Sequence, residues 1–163
     1  MSYEKIKTIL KDIDSIPYPQ INYLNRNSYF ANMLYNSYAG EYSELSATTQ
    51  YIYEHINIIR NPMISEIMKI VAIVEMKHLN ILGDLLRKLG NSPCYMDSNN
   101  KYWTSNCLNY SINDIIKLME YNIKSEKEAI DQYNKIILYS RNPSITRLFQ
   151  RIILDEKTHI KVF

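Results

Sequence analysis

The chain carries the same two-helix segment twice, and each copy holds groups that bind metal ions. The first copy reads Glu44-x-x-Ala47-x-x-Gln50-Tyr51, then Arg60-Asn61-Pro62, then Glu75-x-x-His78. The second reads Glu126-x-x-Ala129-x-x-Gln132-Tyr133, then Arg141-Asn142-Pro143, then Glu156-x-x-His159. The offset is 82 residues in the first block and 81 in the other two, so a one-residue slip lies between Tyr51 and Arg60. Four Glu and two His therefore occupy matching positions in two halves. Inside a helix bundle, that is the donor set of a carboxylate-bridged two-metal site.

The rest of the pattern is helical. Ile6, Ile9, Leu10, Ile13 and Ile16 share one face, which predicts a short amphipathic helix over residues 2–16. Pro17 and Pro19 end it, and an extended arm reaches to about residue 27. Residues 28–163 then predict four long helices, at about 28–59, 63–89, 111–140 and 144–162. Gly40 lies inside the first at some expense in stability. Asn61-Pro62, Gly90 and Asn142-Pro143 are the breaks. Residues 90–110 are rich in Gly, Asn, Ser, Pro and Asp and form a long connection. A loop of that length needs a reason. If a twofold axis relates the halves, the second and third helices point the same way, and the chain must cross the whole bundle between them. A helix of about 25 residues is roughly 38 Å long, which about 20 extended residues can span.

Residues three apart on a helix share a face, so Glu75 reaches one region with His78, and Glu156 with His159. Glu44 and Tyr51 are two turns apart, as are Glu126 and Tyr133. The small Ala47 and Ala129 between them leave room for metals. These polar groups interrupt apolar stripes and must point inward. Four buried carboxylates need compensation. Two divalent cations supply it, with both His neutral. The oxygen and nitrogen donor set suits two Fe ions or Mn, with Zn as a possible substitute. Tyr51 and Tyr133 are expected to donate hydrogen bonds to ligand carboxylates and orient them.

A single Glu-x-x-His is more often an exposed salt-bridging face than a ligand pair. Two in register with the Glu-x-x-Ala-x-x-Gln-Tyr blocks are not so dismissed. His55 reads as a bundle-end residue and Glu41 as a solvated neighbour of the site, while Glu128 and Asp131 lie off the ligand face. Trp103 is expected to anchor the connection. The net charge of +2 and the lack of a basic stripe exclude a nucleic-acid partner. No stretch is apolar enough for a membrane span or a signal peptide. Cys94 and Cys107 form no Cys-x-x-Cys, so a rubredoxin-type or zinc-ribbon site is absent. A cytoplasmic location with two ordinary thiols is the simplest expectation, although a Cys94–Cys107 bridge is left open by the spacing.

At the paired motifs the chain resembles the ferritin-like superfamily, in its bacterioferritin and rubrerythrin branch, over about residues 28–163. The resemblance implies an all-α, ferritin-like antiparallel four-helix bundle with a long crossover between helices two and three, here with a short N-terminal helix added. It implies Glu44 and Glu126 as terminal ligands, Glu75 and Glu156 as bridges, and His78 and His159 each capping one metal. It also implies redox chemistry on oxygen or hydrogen peroxide, and a homodimer. Departures bear on the activity. Rubrerythrins carry an electron-relay iron domain, so a peroxide reductase made from this chain needs an external electron donor. Their extra Glu near the third-helix ligand is replaced here by Ile123 and Ala129. Glu75-Met76-Lys77-His78 is similar to the bacterioferritin stretch whose Met binds haem, yet Met76 also suits a bundle edge. The chain stops four residues past His159, which disfavours a storage cage. The expected function is a non-haem di-iron oxidoreductase: a peroxide reductase or ferroxidase. The alternatives are a di-manganese catalase-like enzyme and a structural or coat protein with a metal-stabilised bundle.

Overall fold

The computed structural model describes residues 2–111 and 113–163. Among these residues six α-helices follow one another: α1 (Tyr3–Asp14), α2 (Ser28–Ala39), α3 (Glu44–Asn57), α4 (Pro62–Lys88), α5 (Ile115–Ser140) and α6 (Pro143–Val162). A 3-10 turn, Ser105–Cys107, lies in the connection. The bundle is built from two antiparallel hairpins, α3 with α4 and α5 with α6, while α2 prolongs the α3 arm of the first.

The helix expected over 28–59 is two helices, and the correction has a local cause. Ser43 takes the N-cap position of α3, its side chain accepting from the Ser46 N–H at 3.2 Å. The Ser43 and Ser46 hydroxyls both donate to the Gly40 carbonyl, at 2.8 and 2.9 Å. These bonds offer the backbone an alternative to the helical ladder. The Gln132 amide, reaching from α5, donates to the Tyr42 carbonyl at 2.8 Å and braces the break. Glu44 thus becomes the first residue of α3, at the positive end of its dipole.

The other boundaries follow their punctuation. Asn61 and Asn142 cap α4 and α6, each with Pro in the first turn. Gly90, at φ +88°, closes α4, its N–H reaching Arg87 O and the next N–H, of Asn91, reaching Leu86 O. Residues 89–111 then run along α2 and α3. Tyr35 and Tyr38 donate to the carbonyls of Ser92 and Pro93, Trp103 Nε1 donates to Ser46 Oγ at 2.9 Å, and Gln50 exchanges two hydrogen bonds with the Asn109 backbone. The two repeat glutamines therefore do the same job, each pinning non-helical backbone beside its helix.

The buried apolar residues form two clusters. One joins α2, the C-terminal half of α4 and the facing parts of α5 and α6, through Leu34, Leu82, Leu86, Tyr133 and Phe149. The other joins α1, α3 and the N-terminal half of α4, through Leu10, Tyr51, Met68 and Val71. The duplicated acids and histidines lie between them. The N-terminal arm crosses α4 and α6, tied by the Lys77–Asp14 ion pair and by Arg151, which donates to the carbonyls of Ile13 and Ile16.

Candidate metal centre

Glu44 comes from the start of α3, Glu75 and His78 from α4, Glu126 from α5, and Glu156 and His159 from α6. All six are buried, none more than 2% exposed. They form two overlapping groups. Glu44, Glu75, His78 and Glu156 make one, and Glu75, Glu126, Glu156 and His159 the other, with the donor atoms within each lying within 4.8 Å of one another. Glu75 and Glu156 are common to both.

Both imidazoles aim Nδ1 at the carboxylates. His78 Nδ1 lies 3.1 Å from Glu75 Oε2, 3.1 Å from Glu156 Oε1 and 3.5 Å from Glu44 Oε2. His159 Nδ1 lies 2.8 Å from Glu75 Oε1, 3.0 Å from Glu156 Oε2 and 3.7 Å from Glu126 Oε1. Glu44 Oε1 is buried without a hydrogen-bond partner among the described residues, and Glu75 Oε1 and Glu156 Oε1, although beside the His159 and His78 Nδ1 atoms, meet no donor aligned for a hydrogen bond there. So many unsatisfied acceptors at one point in a dry interior call for a bound ion. The group fits a two-metal site.

With protons alone, the cluster's charge is shared unevenly. Burial drives Glu44 and Glu126 well above the usual carboxylate range, reinforced by the neighbouring carboxylates. For Glu75, burial is overcome by His159 and His78, which hold it below that range. Burial alone would lower both imidazoles, but Glu156 and Glu44 raise His78, and Glu75 raises His159. A cation entering the cluster displaces these protons and takes over their role.

Beside the six lies a cavity of about 20 Å³. Ala47, Tyr51, Ala129, Glu44, Glu75, Glu126 and Glu156 line it, together with Glu41, Tyr42 and Ser43. That is room for about one water-sized molecule.

The two tyrosines of the repeat are placed differently. Tyr51 donates to Glu126 Oε1 at 2.5 Å, across from α3 to α5. Tyr133 is equally buried, but its ring packs on Phe149 with centroids 5.2 Å apart, and among the described residues its hydroxyl bonds to no carboxylate. Its expected role is therefore replaced by packing. His55 sits at the bundle end, its Nδ1 2.9 Å from the Ser65 carbonyl. Glu41, Glu128 and Asp131 are exposed, Met76 is 54% exposed, and Cys94 and Cys107 are free.

Sequence reasoning missed two groups. Asp155 is fully buried, with Oδ2 3.0 Å from His78 Nε2 and accepting from the Tyr18 hydroxyl at 2.8 Å. Its only signal was an acid beside Glu156, and the repeat hid it because the matching position is Val74. Glu54 is also fully buried, held by Gln50 and Asn122. It continues the Glu44–Ala47–Tyr51 face by one more turn, and that spacing was visible.

The rubrerythrin family model matches residues 32–163. No curated protein gives a significant sequence match. Among solved structures, KatB, a manganese catalase from Anabaena, is similar at 24% identity and a TM-score of 0.82, over 91% of this chain and 75% of that one. A bacterioferritin from Desulfovibrio desulfuricans, with a diiron site, is similar at 23% identity and a TM-score of 0.64, over 83% of this chain and 75% of that one. At these identities the two structures speak for the ferritin-like fold. Among the described residues no helix is long and apolar enough to cross a membrane.

Proposed function

This chain belongs to the rubrerythrin family, and from that premise we propose that it is a di-iron oxidoreductase that reduces hydrogen peroxide or oxygen. The observation that carries the reading is the pair of buried donor groups sharing Glu75 and Glu156. Glu44 and Glu126 would hold one ion each from the side, Glu75 and Glu156 would bridge, and His78 and His159 would each complete one ion. When bound, a pair of redox-active ions supplies the electrons that reduce the oxidant. An external donor then returns the electrons.

The protein's own groups bind and orient. Tyr51 fixes the Glu126 carboxylate through its hydroxyl, so that one oxygen stays committed and the other is free to turn. With hydrogen on Nε2, His78 leaves the Nδ1 lone pair toward the carboxylates, and Asp155 holds that tautomer. The apolar clusters on both sides keep water out. The cavity beside the acids suits a small oxidant such as oxygen or peroxide. The two free thiols suit a reducing cytoplasm. A homodimer is the proposed assembly.

A second reading, a di-manganese catalase-like enzyme, is favoured by the likeness to the Anabaena manganese catalase over nine-tenths of the chain. Such an enzyme needs no donor. Stopped-flow mixing of the reduced, iron-loaded protein with peroxide and with oxygen tests the proposal. Rapid oxidation followed by donor-dependent turnover of peroxide is the expected result. Rapid oxidation without turnover indicates a ferroxidase. Oxygen release from the manganese-loaded protein indicates the catalase. Silence toward both oxidants contradicts all three and leaves the bundle as a structural protein.

A further inference from the structure

The two halves of the centre match in sequence but not in what stands behind their imidazoles. His78 Nε2 lies 3.0 Å from Asp155 Oδ2 and 3.2 Å from the Tyr18 hydroxyl. His159 Nε2 is buried with no hydrogen-bond partner among the described residues. Subtracting the repeat offset of 81 from Asp155 gives Val74, which is 2% exposed and cannot accept a hydrogen bond. Arg151 maps in the same way onto Ile70.

Asp155 is itself held from two further directions. Tyr18 donates to Oδ2 at 2.8 Å, and the Arg151 guanidinium contacts Oδ1 at 2.6 Å. Arg151 also lies over the Tyr18 ring, 4.6 Å from its centroid, and grips the Ile13 and Ile16 carbonyls. Tyr18 lies in the N-terminal arm and Ile13 and Ile16 at and just past the end of α1, all outside the residues that match the family model. The arm therefore clamps one histidine and leaves the other alone.

A carboxylate that accepts the far N–H of a ligand imidazole fixes the ring and makes its other nitrogen a stronger donor. The opposite half gains nothing comparable, and there the Tyr51 hydrogen bond draws electron density from Glu126. Both differences act in the same direction. We propose that Asp155, held by Arg151 and Tyr18, is a positioning residue that makes the His78 half the tighter metal subsite, so that the two ions load in a fixed order. The proposal rests on the two-metal reading above.

Titration of the metal-free protein with Mn(II), followed by electron paramagnetic resonance and calorimetry, tests it. An isolated Mn(II) ion and a coupled pair give different spectra. The wild type should show the isolated ion up to one equivalent and the coupled pair only on approach to two. Asp155→Asn should weaken the first step by about 10–100-fold and leave the second nearly unchanged. Tyr18→Phe keeps the acid and Arg151, and should weaken the first step alone by a smaller factor. His159→Gln should retain the first ion and His78→Gln should lose it. If Asp155→Asn fails to fold, with Arg151 left buried without its counter-ion, Tyr18→Phe decides by the same criterion. A coupled-pair spectrum from the first addition in the wild type overturns the proposal, as does an equal fall in both steps, or in neither, in the variants. Failure to bind any Mn(II) overturns the two-metal reading, and this inference with it.

Discussion

Glu54 lies one turn beyond Tyr51 on α3, sealed from solvent, with the amides of Gln50 and Asn122 donating to it at 2.7 and 2.8 Å. Burial outweighs the two amides and raises its carboxyl to about 7 from an ordinary 4.5. The folded protein therefore holds this proton more tightly than the unfolded chain. The resulting stability is whole below about pH 4.5 and is lost as the pH rises through about 7, a difference of about 3 kcal/mol. Glu54→Gln should remove this slope. Urea unfolding of the metal-loaded proteins at pH 5 and pH 8 checks it, and parallel profiles for wild type and variant would refute the assignment. Tyr51→Phe should retain both metals and slow oxidation by about tenfold, because Glu126 loses its orienting donor. Metal analysis with stopped-flow reads both, and an emptied site would mean that Tyr51 does more than orient. The six acids and imidazoles were legible because duplication marks them twice. Asp155 and Tyr18 were not, because they act on one half only, across elements far apart in the chain.

The helix ends stated by local chemistry were legible at the scale of elements. Asn-Pro opens α4 and α6, and Gly90 with its positive φ closes α4. The break between α2 and α3 was hidden because both pieces bury side chains against α4, so the apolar spacing runs on through it. What interrupts it is hydrogen bonding from Ser43, Ser46 and Gln132, which periodicity does not register. The break also leaves little space. A Cβ on Gly40 would sit 2.6 Å from the Asn36 carbonyl oxygen, which is fixed backbone. Gly40→Ala should therefore destabilise the protein by about 1–3 kcal/mol. Thermal unfolding checks this, and an unchanged midpoint would show that the backbone yields freely there. The crossover was legible from the repeat, since parallel second and third helices demand a chain that spans the bundle. Its path along α3 was set by Gln50, Tyr53 and Trp103, whose partners no sequence spacing names.

The whole molecule is a bundle with two apolar clusters and a charged centre between them, so its stability depends on what occupies the centre. Without metal, Glu44, Glu126, His78 and His159 all hold protons more tightly folded than unfolded. The carboxyl share of that stability is lost as pH rises above about 4.5, and the imidazole share as it rises above about 6.5. Glu75 and Asp155, held below their ordinary range, act oppositely and only at the acid end, where their share is lost as pH falls. The metal-free protein should therefore weaken between pH 5 and 8, while metal, which competes with the protons, holds better as pH rises. Saturating metal should raise Tm by about 10 °C at pH 8 and by less at pH 5. Calorimetry of both forms checks it, and a gap that shrinks with rising pH would reverse the assignment. The most direct test of the shared centre is metal content per chain in wild type and in Glu75→Ala, both purified from the native host. The account predicts two ions per chain in the wild type and loss of the pair when this bridge is removed. Two ions held at unchanged affinity in Glu75→Ala would contradict it.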